Sequence, residues 1–429
     1  MLVFKKISYL SIFLSCILSL YFFTNFSGQT TRTSPPSRIV LGNENIDKIV
    51  DLSKNKKVAV VGNHTSVLFA DITLSPTHLV DTLLARNIEI VKVFAPEHGF
   101  RGDRANGDHI FDDIDPKTSL PILSLHGKFR KPSKESLKDV DLIIFDIQDV
   151  GARFYTYLST LLLVMEAAAE NDIEVLVLDR PNPHGHHVDG PMLDPAFKSF
   201  VGWAPVPVIH GMTFGELAQM ANGEGWLEGG ATPNLTVMQC EGYAHSDRYS
   251  VPIAPSPNLP SHISIELYPS LCFLEPTIVS VGRGTPTPFE IAGIPSGLIQ
   301  MGTSQYEVIN FTPVATPGAA PHPKHENVLC VGNNFLSRGE LWWNDGPSWD
   351  LSILEGYANS FRDENLESNE INGFFTSKSF FDKLAGTDKL RLCLEEGKGL
   401  DELKAIWAKE IIEFKTSRDP YLIYTIQRQ

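Results

Sequence analysis

The strongest constraint on the fold is a unit that recurs through the first half of the chain: a short aliphatic, mostly β-branched run that stops abruptly in a polar cluster. Residues 57–61 stop in Gly62-Asn63-His64-Thr65-Ser66, and residues 88–94 in Ala95-Pro96-Glu97-His98-Gly99. Residues 140–145 stop in Asp146-Ile147-Gln148-Asp149-Val150-Gly151, and residues 173–178 in Asp179-Arg180-Pro181-Asn182-Pro183. Residues 206–209 make a fifth candidate, ending in His210-Gly211-Met212-Thr213. Apolar residues at helical spacing fall between them, over 78–86, 156–171 and 214–222. Such alternation gives βαβ units and a mostly parallel sheet, covered on both faces so that each strand is continuously apolar. The expected class is α/β, a Rossmann-like open parallel sheet. No strand is followed by G-x-G-x-x-G, so a dinucleotide is not expected, and no other cofactor is called for.

The chain has 429 residues, more than the roughly 250–300 that one core usually supports, so a second domain is expected. The stretch holding Pro252, Pro255, Pro257 and Pro260 marks the boundary. Beyond it lie short strand-like pieces at 277–281 and 306–311, then helical patterns at 377–384, 388–396 and 399–414. In the last, Leu400, Leu403, Ile406, Trp407 and Ile411 share one face. The expected division is a Rossmann-like catalytic domain over 45–260 and a smaller α+β domain over 261–429, with the active-site cleft between them.

Composition narrows the partners. Lys and Arg number 36 against 51 Asp and Glu, a net charge of −15, which excludes a nucleic-acid binder that would need a basic face. The N-terminus departs from that acidity. Lys5 and Lys6 precede a 17-residue apolar run over 7–23, followed by polar residues, the layout of a secretory signal. The run is short for a bilayer span of about 20 residues, yet the two lysines suit an uncleaved anchor. Residues 1–28 are thus a signal peptide or membrane anchor, 29–44 a tether, and Cys16 a candidate for lipidation. The exported body is expected to be periplasmic or anchored to the envelope membrane, with a net charge of −17 once Lys5 and Lys6 are set aside. Cys240, Cys272, Cys330 and Cys393 have neither zinc nor disulfide spacing and read as buried fillers.

In open α/β sheets the ligand crevice lies outside the carboxyl ends of the strands, which is where the polar clusters fall. They supply Asn63, His98, Arg101, Gln148, Arg153, Tyr155, Tyr157 and Asn182 as candidate substrate ligands. Glu97 is the leading catalytic candidate: Pro96 restrains its approach and Gly99 permits a tight turn after it, and a carboxyl held there can serve as general acid. Its alternative is a pair with Arg101 or Arg104. Asp146 and Asp149 are the candidate second carboxyls, or else a helix cap and a partner of Arg153. From the second half, Gly282-Arg283-Gly284-Thr285 can cradle an anion with backbone N–H groups, or Arg283 can pair with Glu290 to support the site. His184, His186 and His187 look like a metal cluster but read more simply as an exposed loop. Trp342, Trp343 and Trp349 suit either sugar stacking or core packing.

Several of these strings together resemble one family. Ala95-Pro96-Glu97-His98-Gly99-Phe100-Arg101-Gly102, the run from Asp146 through Gly151-Ala152-Arg153-Phe154-Tyr155-Thr156-Tyr157, and Asp179-Arg180-Pro181-Asn182-Pro183 are similar to motifs of the exo-β-N-acetylmuramidase family of glycoside hydrolases, formerly a bacterial domain of unknown function. His210-Gly211-Met212-Thr213, Pro255-Ser256-Pro257-Asn258-Leu259-Pro260, Gly282-Arg283-Gly284-Thr285 and Pro288-Phe289-Glu290 continue the resemblance, as does the ending from Phe381 to Tyr424. It covers residues 45 to 429 and departs at His184-Gly185-His186-His187. The resemblance implies a Rossmann-like domain, a smaller C-terminal domain, and release of terminal N-acetylmuramic acid from the non-reducing end of peptidoglycan fragments. It places the catalytic glutamate on Glu97. Asn258, Arg283 and Glu290, which lie within these strings, complete the candidate substrate ligands.

Glycoside hydrolysis usually needs two carboxyl groups around the scissile bond. Glu97 would be the acid, with Asp146 or Asp149 as base, nucleophile or orienter, unless the substrate's own acetamido group attacks. Arg101, Arg153 or Arg283 would bind the lactyl carboxylate, and the site is expected to be locally rich in arginine. The alternatives are a metal-assisted envelope hydrolase and a non-catalytic muropeptide-binding protein.

Overall fold

The aliphatic runs form the strands they predict. Apart from a short antiparallel pair at Val67–Leu68 and Thr77–His78, the strands of the first half in chain order are β1 (Val58–Gly62), β2 (Ile90–Ala95), β3 (Asp113–Ile114), β4 (Pro121–Ser124), β5 (Leu142–Asp146), β6 (Glu174–Leu178), β7 (Asp189–Met192), β8 (Pro207–Ile209) and β9 (Leu235–Met238). The structure is a computed structural model that describes residues 38–69, 75–97, 99–101, 113–298, 306–346, 349–364, 371 and 373–427. The expected signal or anchor, Cys16, most of the tether and His98 lie outside the described residues.

Seven of these strands make one sheet in the order β9-β6-β5-β1-β2-β4-β3. All its pairings are parallel except that of β3 with β4. Counted over the six parallel strands, this is the doubly wound order, which reverses between β1 and β5. Their register sets Gly62 beside Asp146, so the first and third polar clusters flank the switch point. β1 and β5 are buried at every residue, as central strands covered on both faces must be. The helices are α1 (Ile46–Ser53), α2 (Leu79–Ala85), α3 (Tyr157–Glu170) and α4 (Phe214–Gly223). α3 is buried continuously from Tyr157 to Ala168, as a mostly apolar helix packed between layers must be.

The fifth run is not a sheet strand. β8 pairs antiparallel with β7 outside the sheet, because Pro207 and the neighbouring Pro205 remove donors a central strand would need. The sixth parallel strand is β9, whose partly exposed residues hide it from a search for wholly apolar runs. Leu41 and Asn43, expected in the tether, belong to the folded body: both are buried, and Asn43 Nδ2 donates to Val67 O and Asp146 Oδ2.

The C-terminal region is smaller and mixed. α5 (His262–Leu271) leads to an antiparallel sheet of β10 (Ile291–Pro295), β11 (Glu307–Phe311) and β12 (Cys330–Asn334), in the order β10-β12-β11. Then come α6 (Leu336–Asp345), α7 (Ser352–Glu364), α8 (Lys378–Ala385), α9 (Lys389–Glu395) and α10 (Asp401–Arg418). Residues 277–281 do not form the strand expected of them. The carbonyls of 277–279 are taken by side chains, Lys324 Nζ donating to Thr277 O and Val279 O as well as to Glu275 O, and His325 Nε2 to Ile278 O; Ser280 only bridges Gly293.

One apolar core runs from the sheet through α3 and α5 to Trp407 and Phe414 of α10. Trp342 and Trp349 are buried in it, Trp349 edge-on to Phe273, and Trp343 packs on His262; these are packing residues. The four cysteines of the body are buried free thiols. Arg153 joins the halves. Fully buried, it donates from Nη1 to Pro191 O and Val206 O, and from Nη2 to Leu384 O and Ala385 O at the end of α8. The tail closes back on the sheet: Arg418 Nη1 donates to His210 O and Gly211 O, and the Tyr424 hydroxyl to buried Asp179. Among the described residues no helix is long and apolar enough to cross a membrane.

Candidate functional site

At the carboxyl edge of the sheet, beneath the C-terminal region, lies a cavity of about 200 Å³ lined from both halves of the chain. Glu97, half-buried, stands on its wall just past β2 and Pro96. Gly99, at φ 78°, turns the chain away after it, a conformation glycine adopts without strain. Tyr157, the first residue of α3, donates its hydroxyl to Glu97 O at 3.3 Å. The Tyr155 hydroxyl donates to Pro255 O at 3.0 Å, and the two rings meet edge-on at 4.9 Å. Burial, reinforced by neighbouring charges that include Glu97, pushes both phenols up, so both stay neutral hydrogen-bonding groups.

The rest of the wall includes Ser256 and Asn258 from the end of the first half and Tyr268, Glu275 and Arg283 from the C-terminal region. Asn258 Nδ2 donates to Ala319 O at 2.8 Å. Arg283 Nε and Nη2 donate side-on to Glu275 Oε1 and Oε2, at 2.6 and 3.0 Å, and its guanidinium lies 5.1 Å from the Phe289 ring centre. Burial acts to lower the guanidinium pKa, but the Glu275 charge outweighs it and holds Arg283 above its usual value. The Gly282–Thr285 turn closes on itself, Thr285 N and Oγ1 both donating to Gly282 O. A side chain on Gly282 would sit 2.5 Å from Ile291.

Several expected ligands belong to the frame instead of the wall. Asp146 is fully buried, its carboxylate accepting from Arg180 Nε at 2.8 Å and Asn43 Nδ2 at 3.1 Å. Arg101 donates to both Asp81 and Asp115, and Arg153 holds the four carbonyls already described. Asn63 accepts from Thr65 N and Oγ1. Gln148 Nε2 donates to Asp149 O and Pro181 O, while Asn182 Nδ2 donates to Met212 O and its Oδ1 accepts from His184 N. Glu290 accepts from the Ser261 hydroxyl at the start of α5, and does not pair with Arg283. Asp149 lies deeper than the wall. Its Oδ2 accepts from Gly151 N at 3.0 Å and is 3.8 Å from His210 Nε2, and burial pushes its carboxyl up to about 7. Nor is the cavity rich in arginine: its described charged residues are Glu97, Glu275 and Arg283.

The histidine cluster is largely buried rather than an exposed loop. His184 Nδ1 donates to Val150 O at 2.6 Å, His186 faces Arg248, and His187 is 3.5 Å from Asp189. Among the described residues no group of three or more His, Cys, Asp or Glu is placed to hold a metal ion. The principal residue that motif reading missed is Glu275. Its signal was present: Leu271-Cys272-Phe273-Leu274 stops in Glu275-Pro276, an apolar run ending in a carboxylate beside proline, as before Glu97.

Comparison with known proteins matches both halves. Residues 58–263 match the family profile described as exo-beta-N-acetylmuramidase NamZ, N-terminal, and residues 266–424 its C-terminal counterpart. The peptidoglycan beta-N-acetylmuramidase NamZ of Bacillus subtilis (strain 168) is 37% identical over 385 residues, covering 86% of this chain and 87% of that protein. Two crystal structures of DUF1343 family proteins from Bacteroides fragilis NCTC 9343 superpose with TM-scores of 0.77 and 0.76, at 43% and 28% identity. Each alignment covers 91% of this chain, and 99% and 100% of the respective structures.

Proposed function

The chain belongs to the exo-beta-N-acetylmuramidase family, and on that premise we propose how its cavity performs the reaction. The protein is an exo-acting glycoside hydrolase that releases terminal N-acetylmuramic acid from the non-reducing end of peptidoglycan fragments. Glu97 is its general acid. The observation that carries this assignment is the placement of Glu97 on the wall of a cavity built from both halves of the chain, with the Arg283 guanidinium lining the same cavity. Glu97 gives its proton to the oxygen of the leaving sugar as the bond from the anomeric carbon breaks.

Of the three arginines expected to hold the lactyl carboxylate, Arg101 and Arg153 are engaged elsewhere and Arg283 lines the cavity. Arg283 therefore recognises the acid that distinguishes muramic acid from glucosamine, for which a planar guanidinium is well shaped. Tyr155, Tyr157 and Asn258 frame the sugar. Glu97→Gln should lower turnover of a disaccharide ending in N-acetylmuramic acid by about 10²–10⁴-fold while leaving the unfolding transition in place. Near-normal release of the sugar by that variant would remove Glu97 from the role.

The substrate ties the enzyme to the cell envelope. Export through residues 1–28, by a cleaved signal, a retained anchor or lipidation of Cys16, is part of the same reading. So is the division near residues 252–262 into a catalytic domain over 45–260 and an auxiliary domain over 261–429, which the meeting of the two family profiles at 263 and 266 supports.

A further inference from the structure

An acid alone does not complete a glycosidase; a second carboxylate is usually needed near the scissile bond. Asp146, bonded to Arg180 and Asn43, and Asp149, deeper than the wall, do not line the cavity. Among the described residues that do, the acidic side chains are Glu97 and Glu275. We infer that Glu275 is the second catalytic carboxylate, the general base that takes a proton from the attacking water. The inference rests on the assignment of Glu97 as acid.

Three features of Glu275 carry it. Its backbone is fixed: Lys324 Nζ donates to Glu275 O at 2.8 Å, to Val279 O at 2.9 Å and to Thr277 O, and His325 Nε2 to Ile278 O at 2.6 Å. A catalytic group held this way loses little freedom on the path to the transition state. Its carboxylate plane is also fixed, by the side-on Arg283 pair at 2.6 and 3.0 Å. That pair uses one acceptor position on each oxygen and leaves others for a water. Finally, the pair matches the substrate. The anomeric carbon and the lactyl-bearing carbon are 1,3-related on the sugar ring, so a base at the first and a guanidinium at the second must be neighbours, as Glu275 and Arg283 are.

The water oxygen bonds to the anomeric carbon as the bond from that carbon to the leaving oxygen breaks. Glu97 gives its proton to the leaving oxygen and Glu275 receives one from the water. Glu275 then returns its proton to solvent and Glu97 takes one up, which restores both. The released sugar has inverted configuration.

The test compares wild type, Glu97→Gln, Glu275→Gln and Glu275→Ala on a disaccharide ending in N-acetylmuramic acid, with NMR of the sugar at early time. Both Glu275 variants should lose about 10²-fold or more in kcat, with KM within a few-fold of wild type. Sodium azide, a nucleophile that needs no base, should restore turnover of Glu275→Ala and yield a glycosyl azide. Wild type should release the α anomer first. A Glu275→Ala enzyme that keeps a tenth of its kcat, that only raises KM, or that azide does not rescue overturns the inference, as does a β anomer released first by wild type. Glu275→Gln keeps the shape and a partner for Arg283, so its kcat decides the matter should the alanine variant fail to fold. Full activity in Glu97→Gln would instead strike the assignment of the acid, a separate failure.

Discussion

Glu97 and Glu275 share a cavity but are held there by different physics. Glu97 follows β2, an interior strand whose ladders to β1 and β4 fix its path. Glu275 ends the helical turn that follows α5 and opens a segment with no continuous ladder, tied by isolated backbone bonds to Phe374, Thr376 and Gly293 and by two side-chain donors, the ammonium of Lys324 and the imidazole of His325. Support by a sheet is shared among many weak bonds, so no single side chain decides where Glu97 stands. Support by Lys324 is concentrated in one titratable group. One wall of the site is therefore robust, and the other responds to pH and to single substitutions.

The largest effect should come from cutting the link between the two walls. Arg153→Met leaves four buried carbonyls without their donor and should cost about 3–5 kcal/mol of unfolding free energy in urea. A loss under about 1 kcal/mol would mean that the halves hold together without it.

Next in size is a test of the sheet side. Burial raises the Asp149 carboxyl to about 7 from 3.8, so the native state binds this proton more tightly than the unfolded chain. Its contribution to stability is full below pH 3.8 and is lost as pH rises to about 7. Between those limits wild type should lose on the order of 3 kcal/mol relative to Asp149→Asn. Parallel stability curves for the two proteins across that range would refute the assignment.

On the other wall pH should act on catalysis. Burial lowers the Lys324 ammonium to about 8, with Glu275 and Arg283 the charges that face it. As pH rises through that value the charge is lost and the Glu275 segment slackens. An alkaline fall in kcat/KM of about tenfold is expected, and Lys324→Arg, with a guanidinium that keeps its charge, should move it to higher pH. If the limb stays put in that variant, it belongs to another group.

The smallest effect is Tyr157→Phe, which removes one hydroxyl bond to Glu97 O. It should lower kcat/KM by about 2–10-fold, because the sheet still positions Glu97.

The same contrast explains what could be read from residue order. β1, β2, β5 and β6 were legible because strands covered on both faces are aliphatic without interruption, and the carboxyl-edge rule then put Glu97 in the crevice. β9 was not, because its outer residues meet solvent, and α5 was hidden by Pro269, which reads as a helix breaker. Within the site, motif order identified Glu97, Tyr155, Tyr157, Asn258 and Arg283 as candidates, and the cavity brings them together. It could not tell wall from frame. Asp146, Arg101 and Arg153 have the right chemistry, and only tertiary structure shows that their charges are already answered by Arg180, by Asp81 and Asp115, and by backbone carbonyls. Glu275 was not singled out as a site residue because a residue that positions it, Lys324, lies 49 residues away.

The return of the tail to the sheet has a consequence for the order of synthesis. Asp179 is fully buried beside the first half's own Thr213 and Gly215, yet one of its hydrogen bonds comes from Tyr424. Glu216 likewise accepts from the backbone of Ile423. A chain emerging residue by residue can pair the strands of its sheet early, but it carries two incompletely satisfied carboxylates in that sheet's flank until Tyr424 has been made. The first half is thus held short of its final packing while the rest is still being translated.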